Sequence, residues 1–213
     1  IQENNYATPQ ELVEKYSLNL EKPVVLFTQH SVTTEFDKSK SQLAPSLAAI
    51  RRLADEGVQI ILTYPNNDAG GRFIIEALEE FMQEGHRNIQ LHKSLGRYNY
   101  HGVLALAKDN VYKVACVGNS SSGIKETPAF FCPSVDIGSR QMGRLRAGNV
   151  LHAEYDADGI YGSIKSCFDD VFLAKCRGIV NPYGVGNAGL KIANVLANED
   201  LDKVKVLRKK MTV

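Results

Sequence analysis

The chain has 213 residues, of which 44% are hydrophobic and 23% charged, and its formal charge is +1. That length suits one generous α/β domain or two very small ones, with enough apolar residue to bury a core that needs no disulfide or metal staple. The balanced charge excludes a polyanion binder working through a broad basic surface, so no nucleic-acid partner is expected and any phosphate site must be a local arrangement.

Residues 1–22 read as a linker and N-terminal helix ahead of the first strand. The first predicted strand, residues 23–29 (PVVLFTQ), is short and β-branched. It ends in residues 28–35 (TQHSVTTE), where His30 can donate to a phosphate or sugar oxygen. The plain alternative is a helix start capped by Thr33 or Thr34 beside an exposed histidine. A helix over 38–57 closes on Gly57 and feeds the strand 58–63 (VQIILT). The turn that follows, residues 64–71 (YPNNDAGG), holds Asn66, a ligand contact or a turn residue only. It also holds Asp68, a candidate cap for the helix 70–85, which ends on Gly85. Strand 89–92 leads into residues 91–97 (LHKSLGR), whose backbone at Leu95 and Gly96 either grips a base edge or simply connects to the helix 98–109.

Strand 113–118 (KVACVG) runs into the most informative loop, residues 118–123 (GNSSSG). Small residues let backbone amides approach a ligand closely, and serine hydroxyls with free N–H groups at a helix start form an anion site. A serine-capped turn explains one or two serines here but not three. Glu126, about one turn into the predicted helix 122–131, can accept bonds from both hydroxyls of a ribose. Pro128 must kink or shorten that helix. The loop is neither G-x-x-x-x-G-K-[ST] nor G-x-G-x-x-G. After strand 133–137, residues 138–144 (GSRQMGR) offer Arg140 and Arg144 as forks for phosphate oxygens, or form a solvated basic loop. Strand 150–153, helices 158–176 and 186–198, and a basic tail at 199–213 complete the chain.

Six β-α units in series predict an α/β fold: a Rossmann-like parallel sheet with helices on both faces, binding ligands beyond the carboxyl ends of its strands. The continuous apolar runs VVLF, IIL and VACV suit strands buried on both sides. No run of eighteen apolar residues is present, so no membrane span is expected. The opening IQENNYATPQ lacks the basic and apolar parts of a signal peptide and an initiator Met, which fits a fragment. Cys116, Cys132, Cys167 and Cys176 contain no C-x-x-C pair. Cys116 and Cys132 read as small core residues in a reducing, cytoplasmic setting. No metal site and no cofactor are expected.

Taken together and in order, residues 29–35 (QHSVTTE), 64–70 (YPNNDAG), 118–124 (GNSSSGI), 138–144 (GSRQMGR) and 181–188 (NPYGVGNA) resemble the hydrolysing UDP-N-acetylglucosamine 2-epimerases of sialic acid and related nonulosonic acid synthesis. The resemblance covers about residues 22–198 and implies the second half of a GT-B-type two-domain enzyme. It makes residues 23–198 a UDP-binding domain and implies a UDP-sugar substrate, a partner domain preceding this one, and a homodimer. The implied reaction eliminates UDP across C1 and C2 to leave a glycal, then adds water to give N-acetylmannosamine. By the same resemblance His30 contacts the nucleotide sugar near the reacting centre. Asn66 contacts UDP, Ser120 and Ser121 bind the diphosphate, Glu126 binds the ribose, Arg140 joins the nucleotide site, and the Leu95–Gly96 backbone faces uracil. The proton-moving residues are implied on the other domain, so this chain alone is expected to turn over nothing. Ser31 stands where the family usually has Pro, and Val185 where it usually has Asp, which puts the role of that last loop in doubt; residues 97–102 look longer than in some relatives. A diacetylbacillosamine 2-epimerase of legionaminic acid synthesis, a GT-B glycosyltransferase donor domain and a non-catalytic UDP-binding module are the alternatives.

Overall fold

A computed structural model describes residues 4–109, 111–184 and 186–199. The described residues fall into two compact units, one running to Pro182 and the other starting at Tyr183. In the second, the described helix is α8 (Ala188–Asn198). Val185 and the basic tail from 200 onward lie outside the described residues, as do the expectations placed on them.

The first unit is built on six parallel strands: β1 (Val24–Thr28), β2 (Gln59–Thr63), β3 (Ile89–His92), β4 (Val114–Gly118), β5 (Ser134–Ile137) and β6 (Val150–Ala153). Their order across the sheet is β3-β2-β1-β4-β5-β6. Every crossover from β1 to β3 runs one way, and from β4 onward the other. The crevice between β1 and β4 is therefore the topological switch point, where sheets of this kind take ligands. Pairing of Thr28 with Gly118 brings the ends of β1 and β4 level.

Alternate residues of β1 face opposite layers, as strand geometry requires. Val25 and Phe27 pack with Ile60, Leu62, Ala115 and Val117. The helices on that face are α2 (Ser39–Asp55), α3 (Gly71–Met82) and α6 (Ala157–Cys167). Val24 and Leu26 pack on the other side with Cys116, Phe130 and Cys132, beneath α1 (Pro9–Tyr16) and α4 (Gly96–Ala105). Both faces of β1, β2 and β4 are fully buried, which is why those strands read as unbroken apolar runs. All four cysteines are free and buried, and burial pushes the Cys116 thiol up to about 12. No helix among the described residues is long and apolar enough to cross a membrane.

The six strands lie where the apolar runs put them, and Gly57 and Gly85 close their helices with φ of 86° and 76°. Two helices depart from expectation. The predicted helix 158–176 is two, α6 and α7 (Asp170–Arg177), because Asp169 turns out of the helical region and caps α7 through the amides of Val171 and Phe172. The predicted helix 122–131 is a single turn, α5 (Ser122–Lys125), followed by a 3-10 turn at Thr127–Phe130 whose first turn carries Pro128.

Candidate functional site

The loops after β1, β2, β3, β4 and β5 meet above the switch point. Gly118, at the end of β4, has a φ of 126°, and a Cβ there would sit 2.0 Å from the carbonyl oxygen of Thr28. The two central strand ends approach this closely only because the position is glycine.

From that point Asn119 ties three loops together. It is 1% exposed. Its Oδ1 accepts from the His30 amide at 2.7 Å, and its Nδ2 donates to the His30 carbonyl at 2.8 Å. Its own carbonyl accepts from Arg140 Nη1 at 3.1 Å and from Gln141 Nε2 at 2.7 Å. One residue of β4's loop thus fixes the β1 loop and the β5 loop together.

His30 is held a second time through its ring. The Asn66 amide donates to His30 Nδ1 at 2.9 Å, so Nδ1 is the acceptor and Nε2 carries the proton. Burial, followed by the nearby positive charge of Arg140, pushes the imidazole down to about 4. At neutral pH this is a neutral N–H donor. The Asn66 side chain donates to Asp68 at 2.6 Å, and Asp68 lies 3.5 Å from Arg140. Asp68 does not cap α3, whose N-cap is Gly70, with no side-chain cap. Neither Thr33 nor Thr34 caps a helix either; the 3-10 turn Thr33–Lys38 begins after Val32 with no side-chain cap.

A cleft of about 380 Å³ opens above β1, β2 and β4. His30, Leu95, Gly96, Ser120 and Glu126 line it, with Tyr100, His101 and Ser122. Leu95 is 6% exposed. The Gly96 amide is already given to Ser94 Oγ at 3.1 Å. Ser121 and Arg140 line a second depression of about 540 Å³, together with Glu35, Asp68 and Arg144. Asn66 lines neither; its observed bonds go to His30 and Asp68.

The serine loop differs in detail from a helix-start anion site. The amides of Gly123, Ile124, Lys125 and Glu126 are bonded back to Ser120, Ser121 and Ser122. The N–H groups without a partner among the described residues are those of Ser120 and Ser121, ahead of the helix. A single turn of helix adds little dipole, so the groups here with capacity to donate to an anion are these two amides, the Ser120 and Ser121 hydroxyls and Arg140. Glu126 sits just past α5 and not within it. Its Oε2 accepts from Ser122 Oγ at 3.0 Å and from His101 Nε2 at 2.9 Å.

Asn119, His101 and Gln141 were not legible as site residues, and neither were the cleft-lining Thr28, Thr63, Tyr64, Lys93 and Arg97. Lys93 and Arg97 lie in the β3 loop that reads in sequence as little more than a connection. Their cationic side chains beside a polar wall are the only local signal there.

Comparison with known proteins follows the same lines. The family model described as UDP-N-acetylglucosamine 2-epimerase matches residues 2–197. A GDP/UDP-N,N'-diacetylbacillosamine 2-epimerase (hydrolyzing) of Campylobacter jejuni is 30% identical over 167 residues, covering 78% of this chain and 41% of its own length. A UDP-N-acetylglucosamine 2-epimerase of Neisseria meningitidis is 34% identical over 138 residues, 64% of this chain and 33% of that protein. The crystal structure of UDP-GlcNAc 2-epimerase from Neisseria meningitidis bound to UDP-GlcNAc superposes with a TM-score of 0.70 at 16% identity, covering 89% of this chain and 48% of that one. The chain thus spans less than half the length of these relatives, and its sheet corresponds to half of a two-domain GT-B-like architecture.

Proposed function

The chain belongs to the UDP-N-acetylglucosamine 2-epimerase family, and from that premise we propose that it is the nucleotide-holding domain of a hydrolysing UDP-sugar 2-epimerase. The observation that carries the reading is the convergence of Glu126, Ser120, the Leu95–Gly96 backbone and a neutral His30 on one cleft at the switch point. In this reading uracil lies against Leu95 and Gly96, the ribose hydroxyls donate to Glu126, and the diphosphate takes the amides of Ser120 and Ser121. Arg140 sits beside them, tethered by Asn119.

The chemistry asked of this half is leaving-group stabilisation. When the C1–O bond breaks, its electron pair goes to the diphosphate, and that charge is met by fixed amides, one guanidinium and the Nε2–H of His30. A neutral imidazole suits this role because it donates a hydrogen bond without adding a buried charge when the cleft is empty. Removal of the C2 proton and addition of water to the glycal are assigned to the partner domain.

UDP-N-acetylglucosamine is the proposed substrate. The longer match to the Campylobacter jejuni protein favours a second reading, a UDP-diacetylbacillosamine. The two share the nucleoside and diphosphate and differ in the sugar. The test is calorimetric titration of UDP into this chain and into Glu126→Ala. Glu126→Ala is expected to weaken binding about 10- to 100-fold, the range for a hydrogen bond to a charged group. Normal UDP binding by the variant sinks the assignment. Assay of the chain joined to its partner domain, scoring free N-acetylmannosamine against the bacillosamine-derived sugar, separates the two substrates.

A further inference from the structure

His101 is a histidine where packing asks for an apolar residue. It lies in the middle of α4, 7% exposed, in the layer that holds Val103, Leu104 and Phe130. Its ring centroid is 5.4 Å from that of Phe130 and 6.4 Å from that of Tyr100. A leucine would fill such a place without bringing a polar ring into the core. Burying an imidazole costs free energy unless its N–H is used. Here it is used on one atom, Glu126 Oε2, at 2.9 Å.

The way the bonds fall on Glu126 matters. Both protein donors, His101 Nε2 and Ser122 Oγ, go to Oε2. Oε1 has no partner among the described residues, and the carboxylate is 38% exposed while the histidine side chain is 9% exposed. A carboxylate gripped by one oxygen from behind turns the other outward, and both residues line the same cleft. A glutamate side chain has several rotamers of similar energy, and fixing it before the ligand arrives removes the entropic cost of ordering it at binding.

We propose that His101 is a positioning residue for ribose recognition, holding Glu126 by Oε2 so that Oε1 is presented to the paired hydroxyls of a ribonucleotide. The inference rests on the ribose role of Glu126 and adds the device that orients it. It assigns the selectivity for a ribo- over a deoxyribonucleotide to a residue that does not itself touch the sugar.

The test is a comparison of UDP with 2′-deoxy-UDP, titrated into this chain and into His101→Leu, His101→Gln and Glu126→Ala. The readout is the ratio of the two dissociation constants, which a general loss of structure does not move selectively. The chain is expected to favour UDP by about tenfold or more, as one hydrogen bond to a charged group requires. His101→Leu, matched for packing, is expected to lose most of that preference through weaker UDP binding, with 2′-deoxy-UDP affinity nearly unchanged. His101→Gln, whose amide can still donate to Oε2, is expected to restore it. In the Glu126→Ala background His101→Leu should change nothing further. If Glu126→Ala abolishes the preference while His101→Leu leaves it intact, or if His101→Leu weakens both nucleotides equally, the positioning role is overturned and the ribose role of Glu126 stands. If Glu126→Ala leaves the preference intact, the ribose reading falls and this inference with it.

Discussion

Two side chains organise the loops at the switch point, Glu126 on the wall of the cleft and Asn119 buried beneath the loops, and they are built in opposite ways. Glu126 is half-exposed, and its two protein bonds leave one oxygen with no partner among the described residues. Asn119 is 1% exposed, and both of its side-chain atoms are spent on the backbone of His30. The first arrangement leaves capacity within a ligand's reach; the second is closed off by burial and holds loops in register. Proximity to a cleft therefore does not define a binding group. Unspent hydrogen-bonding capacity does.

That contrast is broken most severely at Asn119. Asn119→Ala strands the amide and carbonyl of His30 beside a buried gap and frees the β1 loop from the β4 loop. The expected loss is about 2–4 kcal/mol of folding stability, the sum of a small cavity and two unmet polar groups. Chemical denaturation should show it as a lowered midpoint at unchanged slope. Glu126→Ala, which leaves the His101 N–H without its acceptor at the edge of an open cleft, should lower the midpoint less. Equal midpoints for the two variants would mean that Asn119 is not the structural member of the pair.

The next effect lies in pH. His30 is pushed down to about 4 in the fold, first by burial and then by Arg140, against an unfolded value near 6.5. Between those two values the unfolded chain takes up a proton that the folded chain refuses. Stability from this group is complete above about pH 6.5 and is lost as pH falls toward 4, by at most about 3 kcal/mol. Glu84, held near 2 by Arg51, titrates on the acid side of this window, so the comparison needed is a difference. His30→Gln keeps an acceptor for the Asn66 amide and removes the titration. Its denaturation midpoint should fall less steeply than that of the parent chain between pH 6.5 and 4. Parallel curves would show that His30 takes up its proton in the fold as readily as in the unfolded chain, and that its ring is not shielded by burial and Arg140.

The same contrast explains what could be read in the chain beforehand. The sheet was legible because burial on both faces writes itself as VVLF, IIL and VACV, and because glycines end the helices. The loops that line the cleft were legible because each follows a strand. What escaped was whatever depends on a partner far away in sequence. Asn119 sits inside a motif, yet its bonds go to a residue 89 positions earlier. His101 meets Glu126 25 positions later, and within its own helix it offers no periodic cue. The break between α6 and α7 was missed for a local reason. The apolar pattern continues across Asp169, and only the capping geometry reveals the stop.

The smallest expected effect tests Asn66, which resemblance makes a ligand contact. Its backbone amide, which no substitution other than proline removes, is what holds His30 Nδ1. Its side chain reaches Asp68, itself 3.5 Å from Arg140. Asn66→Ala should therefore spare the His30 tether and unsettle Asp68 alone. If the side chain only supports its neighbours, UDP affinity should fall about two- to threefold, equivalent to roughly half a kcal/mol for one exposed hydrogen bond. A loss of tenfold or more would mean that the carboxamide turns to the nucleotide when it binds. Asn66 would then belong with Glu126, among the groups that hold capacity in reserve, and not with Asn119. Titration of UDP into the two proteins at one pH and salt concentration distinguishes these outcomes.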